Sequence, residues 1–292
     1  MPTGIPTNRT NIDLPPEVSQ EIIQKTQEGS AVMRLARNIT LPGRGVEIPV
    51  IVSDPEAAWT DETDNKPVSN PGLETKTMRG YKLAVIVPFS NQFRRDAAAL
   101  YDAIVERIPG ALGQKFDATV FGAVAAPGSD FDTFASCNAH SIASDVYQGL
   151  VDADTDISMN GGITNGYVIS PQGKGLLLGA VDGDHRPLFI NNVSEGAIPM
   201  ILGARAEISK GAYVAGSPNT VGIAGDWTKA VCGIVEEIEI AFSSDASLTL
   251  ANGSTINLFQ RNMFAVRAEI EIGFRADLTV FNKITSTSVP SF

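Results

Sequence analysis

Two histidines, a run of aspartates and one Gly-Lys pair are the residues of this sequence best suited to chemistry. His140 or His185 could serve a Ser–His–acid triad, but no Gly-x-Ser-x-Gly turn is present to expose a nucleophile. Asp152, Asp154 and Asp156, in "DADTD", imitate the front of a calcium loop. Such a loop needs Gly at its sixth position and Glu at its twelfth, where Ile157 and Ile163 stand instead. Solvated carboxylates in a turn are the better account. "GKGLLLG", from Gly173 to Gly179, lacks the upstream Gly and the following Ser or Thr of a phosphate loop, so it reads as a helix start. Asp61, Glu62 and Asp64 could hold a cation. A run of that kind is more often a solvated loop tip, and it could also meet a basic partner surface. No enzyme signature survives, and no catalytic residue, cofactor or metal is expected.

Composition narrows the class further. With 43% hydrophobic and 19% charged residues, 292 residues can bury a substantial core. The formal net charge of −11 argues against a protein that grips nucleic acid by its phosphates, which takes a basic face. It does not argue against one that encloses nucleic acid without gripping it. The opening residues, MPTGIPTNRT, show no basic segment followed by an apolar run, and no apolar run approaches the ~20 residues of a membrane span. The expectation is a soluble intracellular product whose two cysteines, Cys137 and Cys232, are reduced and buried.

The elements follow from periodicity. A polar, Pro-rich arm leads into an amphipathic helix that starts at Pro15–Pro16 and ends at Gly29, and an apolar cluster of Val32, Met33, Leu35 and Ala36 follows. "GVEIPVIV" and the return from Leu73 to Val87 form a long hairpin around an acidic, Pro-broken stretch that carries Trp59. At ~3.3 Å per residue its arms could reach roughly 30–40 Å. A two-stranded ribbon is marginal alone in water, so this one needs another copy to lie on. Ser90 and Asp96 offer successive helix caps. Leu100, Ile104, Ile108, Leu112, Phe116 and Val120 then make one stripe, predicting a helix of about 28 residues (~40 Å) with a kink at Pro109. A mixed α/β block follows: a helix around Ser141–Leu150, strand-like "GYVISP", a helix at Gly175–Val181, then "RPLFI" and "IPMILGARAEIS". From Ala230 onward the pattern is β, with a hairpin through Ala251-Asn252-Gly253.

The last long strand alternates without a slip. Phe264, Val266, Ala268, Ile270, Ile272 and Phe274 face one way, while Arg267, Glu269, Glu271 and Arg275 share the other face. On its own such a ladder reads as a solvated face, as on any two-layer α/β domain.

In order, these pieces resemble the major capsid proteins of tailed bacteriophages with the Hong Kong 97-type fold, an α+β class. The resemblance rests on "EVSQEIIQKTQEGSAVMRLAR", "AWTDETDNKPVS", "KLAVIVPFSNQFRRD", "KFDATVFGA", "YVISP", "DGDHRPLF", "ILGARAEIS", "AGDWTKAVCGIVEEIEIAFS" and "FQRNMFAVRAEIEIGF". It covers almost the whole chain. It implies an N-terminal arm (1–43), an extended β-hairpin loop (44–88), a peripheral domain (89–137 and 231–277) with a long spine helix at about 96–124, and an axial α/β domain (138–230 and 278–292).

The resemblance further implies no enzymatic activity and self-assembly in the host cytoplasm into an icosahedral virion capsid. Hexamers and pentamers of this chain would enclose double-stranded DNA without sequence-specific binding. A portal, and separate scaffolding or decoration proteins, would be its partners, with no membrane. Some family members begin with a scaffolding segment. Here Met1 leads almost directly into the arm, so any scaffold is expected to be separate. Some members also crosslink through a loop lysine, for which Lys66 is the natural candidate, although no asparagine or glutamate partner stands out. Expected interface residues are Trp59, Glu62, Lys66, Arg267, Glu269, Glu271 and Arg275. Trp59 would fill a neighbour's pocket, or else pack on its own hairpin. The alternatives are an encapsulin-type compartment shell and a cytosolic α/β hydrolase.

Overall fold

The computed structural model describes residues 30–43, 45–53, 59–60, 68, 72–184, 186–189, 200–250 and 252–287. The helix expected between Pro15 and Gly29 lies outside them, as do His185, Glu62 and Lys66. Two sheets organise the rest. The first has four strands in the order β1 (Arg37–Thr40), β10 (Ala230–Ser243), β13 (Met263–Ala276) and β4 (Tyr81–Ser90). β1 runs parallel to β10 and the other pairings are antiparallel. In β13 the alternation read from the sequence holds. Phe264, Val266, Ala268, Ile270, Ile272 and Phe274 are all buried.

What buries them is a long helix. Ser90 caps a short helix α2 (Asn91–Asp96), its hydroxyl accepting from the Gln92 and Phe93 N–H groups. The chain breaks at Ala97, then runs as α3 from Ala98 to Val120. The expected span of 96–124 is thus shorter at both ends: Asp96 closes α2 instead of capping α3, and the helix stops before Gly122, which has positive φ. Pro109 lies inside α3, which continues past it. Ile108, Leu112, Phe116 and Val120 are buried as the stripe requires, and α3 packs on β4 and β13.

The hairpin is split differently from expectation. Among the described residues β2 (Val46–Ser53) pairs with β3 (Gly72–Met78) alone, and after Arg79–Gly80 the chain enters the sheet as β4. The return arm from Leu73 to Val87 therefore serves two sheets, and the free ribbon is shorter than its apolar pattern suggests. Gly273 makes the handover possible. A Cβ there would lie 2.3 Å from the Arg79 carbonyl oxygen, where the ribbon crosses β13.

The second sheet has six strands in the order β5 (Asn138–Ser141), β14 (Phe281–Ser286), β9 (Asn219–Gly225), β6 (Gly166–Ile169), β8 (Ala204–Ile208) and β7 (Met200–Ile201). Helix α4 (Val146–Met159) packs on β5, β14 and β9, and α5 (Pro171–Leu178) on β6 and β9. Here the sequence reading needs correction, beginning with these helices, expected at Ser141–Leu150 and Gly175–Val181. Asp152, Asp154 and Asp156 lie on α4 rather than in a turn, because Leu150, Ala153 and Ile157 at helical spacing bury the opposite face. "RPLFI" yields only an isolated bridge between Val181 and Pro187 within the described residues. "GYVISP" is strand β6, the β11–β12 hairpin (Ser247–Thr249, Thr255–Asn257) turns at Asn252 and Gly253 as expected, and "IPMILGARAEIS" supplies β7 and β8.

The sheets share a waist where β9 passes into β10 and β13 into β14. The Asp226 N–H donates to the Val280 carbonyl at 3.1 Å, and the Asp277 N–H to the Lys229 carbonyl at 3.2 Å. Trp227 donates its indole N–H to the Gly166 carbonyl at 3.0 Å and meets Phe134 and Phe281 edge-on. Phe134 continues this packing to Phe274, which meets Phe116 of α3. One aromatic file thus joins helix, waist and both sheets. Phe116→Ala should cost about 3–5 kcal/mol of unfolding free energy, read as a lower urea midpoint with an unchanged m-value.

Candidate assembly interface

The outward face of the first sheet carries the charged ladder. β13 pairs with β4 so that Arg267 lies opposite Ile86, Glu269 opposite Ala84 and Glu271 opposite Lys82. Arg267, Lys82, Ala84 and Ile86 are exposed, and Glu269 and Glu271 are half-buried. Glu269 sits between two cations: the Lys82 ammonium at 3.1 Å and the Arg267 guanidinium at 3.7 Å. The hydrogen bond and charge of Lys82 hold its carboxyl below the ordinary range. Exposed pairs of this kind add little stability, but they fix which partner surface can dock and in what register. Ile86, 48% exposed amid these charges, gives the face an apolar spot.

Arg275 leaves this face. The loop after α3 folds over it, so its Nη1 meets Asp132 at 2.8 Å, its Nη2 meets Asp130 at 3.4 Å, and its Nε donates to the Thr77 carbonyl at 2.9 Å. Its alternation was legible; its capture by carboxylates far away in sequence was not. The consequence is mechanical, because Arg275 ties the base of the β2–β3 ribbon to the sheet.

Trp59 is fully exposed on the connection between β2 and β3, and Val68 is nearly so. Among the described residues nothing covers Trp59, so its packing on its own hairpin is not seen there. The cysteines are free and buried, Cys137 pushed up to about 12 by desolvation and Cys232 raised for the same reason. Among the described residues no group of three or more His, Cys, Asp or Glu side chains could hold a metal, and no helix is long and apolar enough to cross a membrane. His140 is engaged by Asp156 at 3.2 Å on the β5–α4 surface.

One buried carboxylate escaped the sequence reading. Asp117, on α3, is 1% exposed. Its carboxylate accepts from the Ser30 hydroxyl, the Ser209 hydroxyl at 2.9 Å, and the N–H groups of Ala31 at 2.9 Å and Val32 at 3.4 Å. Those N–H groups belong to the first turn of α1 (Ala31–Leu35), which Ser30 caps through Met33 N–H at 3.1 Å. Gly211 lets the six-stranded sheet come close, since a Cβ there would lie 2.9 Å from that of Asp117. Arg34 adds a second tie to that sheet through Glu207 at 3.2 Å. The arm segment, the long helix and the second sheet are therefore fastened at one point. The available signal was Asp117 standing beside Phe116 in the apolar stripe.

A family model for the phage capsid family matches residues 12–282. The chain belongs to the phage capsid family. Among relatives, it is 26% identical over 290 residues to the probable major capsid protein gp17 of Mycobacterium phage D29, covering 94% of this chain and 90% of the relative. It is 24% identical over 283 residues to the major capsid protein of Staphylococcus phage 80alpha, covering 92% and 83%. Among solved structures, that from Gordonia phage Cozz superposes with a TM-score of 0.75 at 23% identity over 94% of this chain and 92% of that one. One from Mycobacterium phage Adephagia gives 0.76 at 19% identity over 97% and 99%. These likenesses carry the Hong Kong 97-type fold. Within the phage capsid family this chain functions as a structural shell protein of the virion, and neither the compartment-shell nor the hydrolase alternative is favoured.

Removing the fastening carboxylate should loosen the subunit. Asp117→Ala leaves buried donors unpaired and should cost about 2–3 kcal/mol in urea unfolding. Burial raises the Asp117 pKa above 3.8 against the pull of its donors. The native state then holds a proton that the unfolded chain has released. Wild-type stability, measured relative to Asp117→Ala, should accordingly fall as pH rises from 3.8 through the raised value.

Proposed function

We propose that this chain is the major capsid protein whose copies, grouped as hexamers and pentamers, close an icosahedral head around double-stranded phage DNA. The observation that carries the reading is a body with a one-sided sheet, a charged outer face and a projecting ribbon whose aromatic residue is fully exposed among the described residues. Such a subunit satisfies itself only by head-to-tail contact, in which one surface meets a different surface of the next copy and rotation closes the ring.

The parts take these roles. Residues 1–43 form the arm and 44–88 the extended loop, with strand β4 doubling as a member of the sheet. Residues 89–137 and 231–277 form the peripheral domain, and 138–230 and 278–292 the axial one. The loop, with Trp59, Glu62 and Lys66, overlies the Arg267–Glu269–Glu271 ladder of a neighbour, while Arg275 anchors the loop base from within. The chain acts structurally and catalyses nothing. The net charge of −11 per copy makes the wall repel packaged DNA rather than bind it. Assembly takes place in the host cytoplasm, with a portal and separate scaffolding or decoration proteins as partners.

Electron microscopy of the purified protein tests the reading: closed shells are expected, and discrete monomers or dimers would contradict it. Trp59→Ala should keep the circular dichroism of the folded subunit yet move sedimentation from shells toward small oligomers. Arg267→Glu should slow assembly, followed by light scattering, and alter its salt dependence, because it replaces the guanidinium beside Glu269 with a like charge.

A further inference from the structure

The β2–β3 ribbon leaves the body at one narrow place. Three stretches of chain meet there: the end of β3 with Arg79 and Gly80, the end of β13, and the loop after α3 that carries Asp130 and Asp132. The backbone has no slack at this crossing. A Cβ on Gly273 would lie 2.3 Å from the Arg79 carbonyl oxygen, and one on Gly80 would lie 2.5 Å from Val235 and 2.8 Å from Glu271. Two cations then stitch β3 and β13 together in opposite directions. Arg275 donates to the Thr77 carbonyl at 2.9 Å, and Lys76 to the Ala276 carbonyl at 3.4 Å.

The carboxylates divide into a firm one and a shared one. Asp132 is firm: it takes the Arg275 Nη1 at 2.8 Å and the Ala276 N–H at 3.1 Å, and the Arg275 and Asp132 side chains are only 13% and 15% exposed. Asp130 is shared. One of its oxygens faces Arg275 of the sheet at 3.4 Å, and the other faces Arg79 of the ribbon at 3.5 Å. The Arg79 side chain is 63% exposed, so this half of the bridge is open to water and salt. A lone exposed pair would do little, but here the carboxylate belongs to a network with a shielded core.

The length of the ribbon magnifies any change at its root. From Gly72 to Met78, β3 spans 7 residues, ~23 Å at ~3.3 Å per residue, so a swing of ~10° about Arg79–Gly80 moves its far end by ~4 Å. That is most of the ~4.8 Å between neighbouring strands.

We propose that Asp130 is a hinge pin: by holding Arg79 of the ribbon and Arg275 of the sheet on its two oxygens, it fixes the angle at which the ribbon leaves the body, and through that angle the curvature of the closed shell. The angle concerns the subunit alone, and its effect on curvature rests on the shell reading. In head-to-tail assembly the rotation from one copy to the next decides how many copies close a ring. Loosening the pin therefore gives particles of several sizes rather than weaker subunits. Arg79 and Asp130 are positioning residues that act through the ribbon.

The test separates angle from stability. Arg79→Gln and Asp130→Asn, singly and together, are compared with Arg79→Lys, which keeps the charge. Spin labels at Thr75→Cys on β3 and Ala111→Cys on α3 read the angle in subunits held below the concentration at which they assemble. Both positions are exposed, and Cys137 and Cys232 are buried. Arg79→Gln is expected to widen the distribution of label-to-label distances at least twofold at an unchanged urea midpoint. Electron microscopy of its shells should show a spread of diameters at least twofold broader. Arg79→Lys should restore both, and the double variant should be no wider than Asp130→Asn alone, because both changes sever one bridge. Unchanged distances in Arg79→Gln would overturn the proposal. So would a widening that comes with a lower urea midpoint, a double variant wider than Asp130→Asn, or an Arg79→Lys that behaves like Arg79→Gln. Widened distances with shells of one diameter would overturn the hold on curvature. Failure of the unmodified protein to form shells, with distances widened as expected in the variants, would instead refute the shell reading and leave the pin standing.

Discussion

A body made of one long helix over one sheet leaves the second face of that sheet without a layer of its own. The stripe from Ile108 to Val120 covers the inner side of β4 and β13, and no described element packs over Arg267, Glu269 and Glu271. The ribbon of β2 and β3 has the same deficit, being two strands with no sheet of their own beyond each other. These two surfaces explain the rest of the molecule. The six-stranded sheet, the aromatic waist and the Asp117 junction make the body rigid, so that an exposed face and an extended ribbon can be presented at fixed angles to the next subunit.

Rigidity comes from a small number of long-range ties. The file from Phe116 through Phe274 and Phe134 to Phe281 makes the helix and both sheets one packed unit. Asp117 fastens the arm segment to the helix and to Ser209, just past the end of β8. Arg275 holds the ribbon base against the loop after the helix through Asp130 and Asp132. In each case the groups joined lie far apart in sequence, so the orientation of arm and loop depends on the finished fold rather than on local propensity. A subunit that forms its surfaces only when folded does not offer them while its chain is incomplete.

Much of this was written in local pattern. Strand β13 was legible because two-residue alternation over its length has one solution, and α3 because its apolar residues recur every four. The family could be recognised from the order of such pieces. What local pattern could not supply was pairing. Leu73 to Val87 looked like a single arm, since period-two alternation does not say that Gly72–Met78 pairs with β2 while Tyr81–Ser90 pairs with β13. "DADTD" looked like a turn because its acids mask the spacing of Leu150, Ala153 and Ile157. Of the candidate interface residues, Arg267, Glu269 and Glu271 stand on the outer face as read. Arg275 was drawn inward by two aspartates more than a hundred residues away. Asp117 was overlooked because its four donors come from two distant segments.

The shell reading requires that this chain complete itself with its own copies. Sedimentation velocity of the purified protein across a wide concentration range tests this most directly. Material is expected to accumulate in a narrow, fast-sedimenting boundary of closed particles, with little intermediate species because a ring lacking members leaves patches unpaired. A single slow boundary at the mass of one chain, unchanged up to the highest concentration, would contradict it.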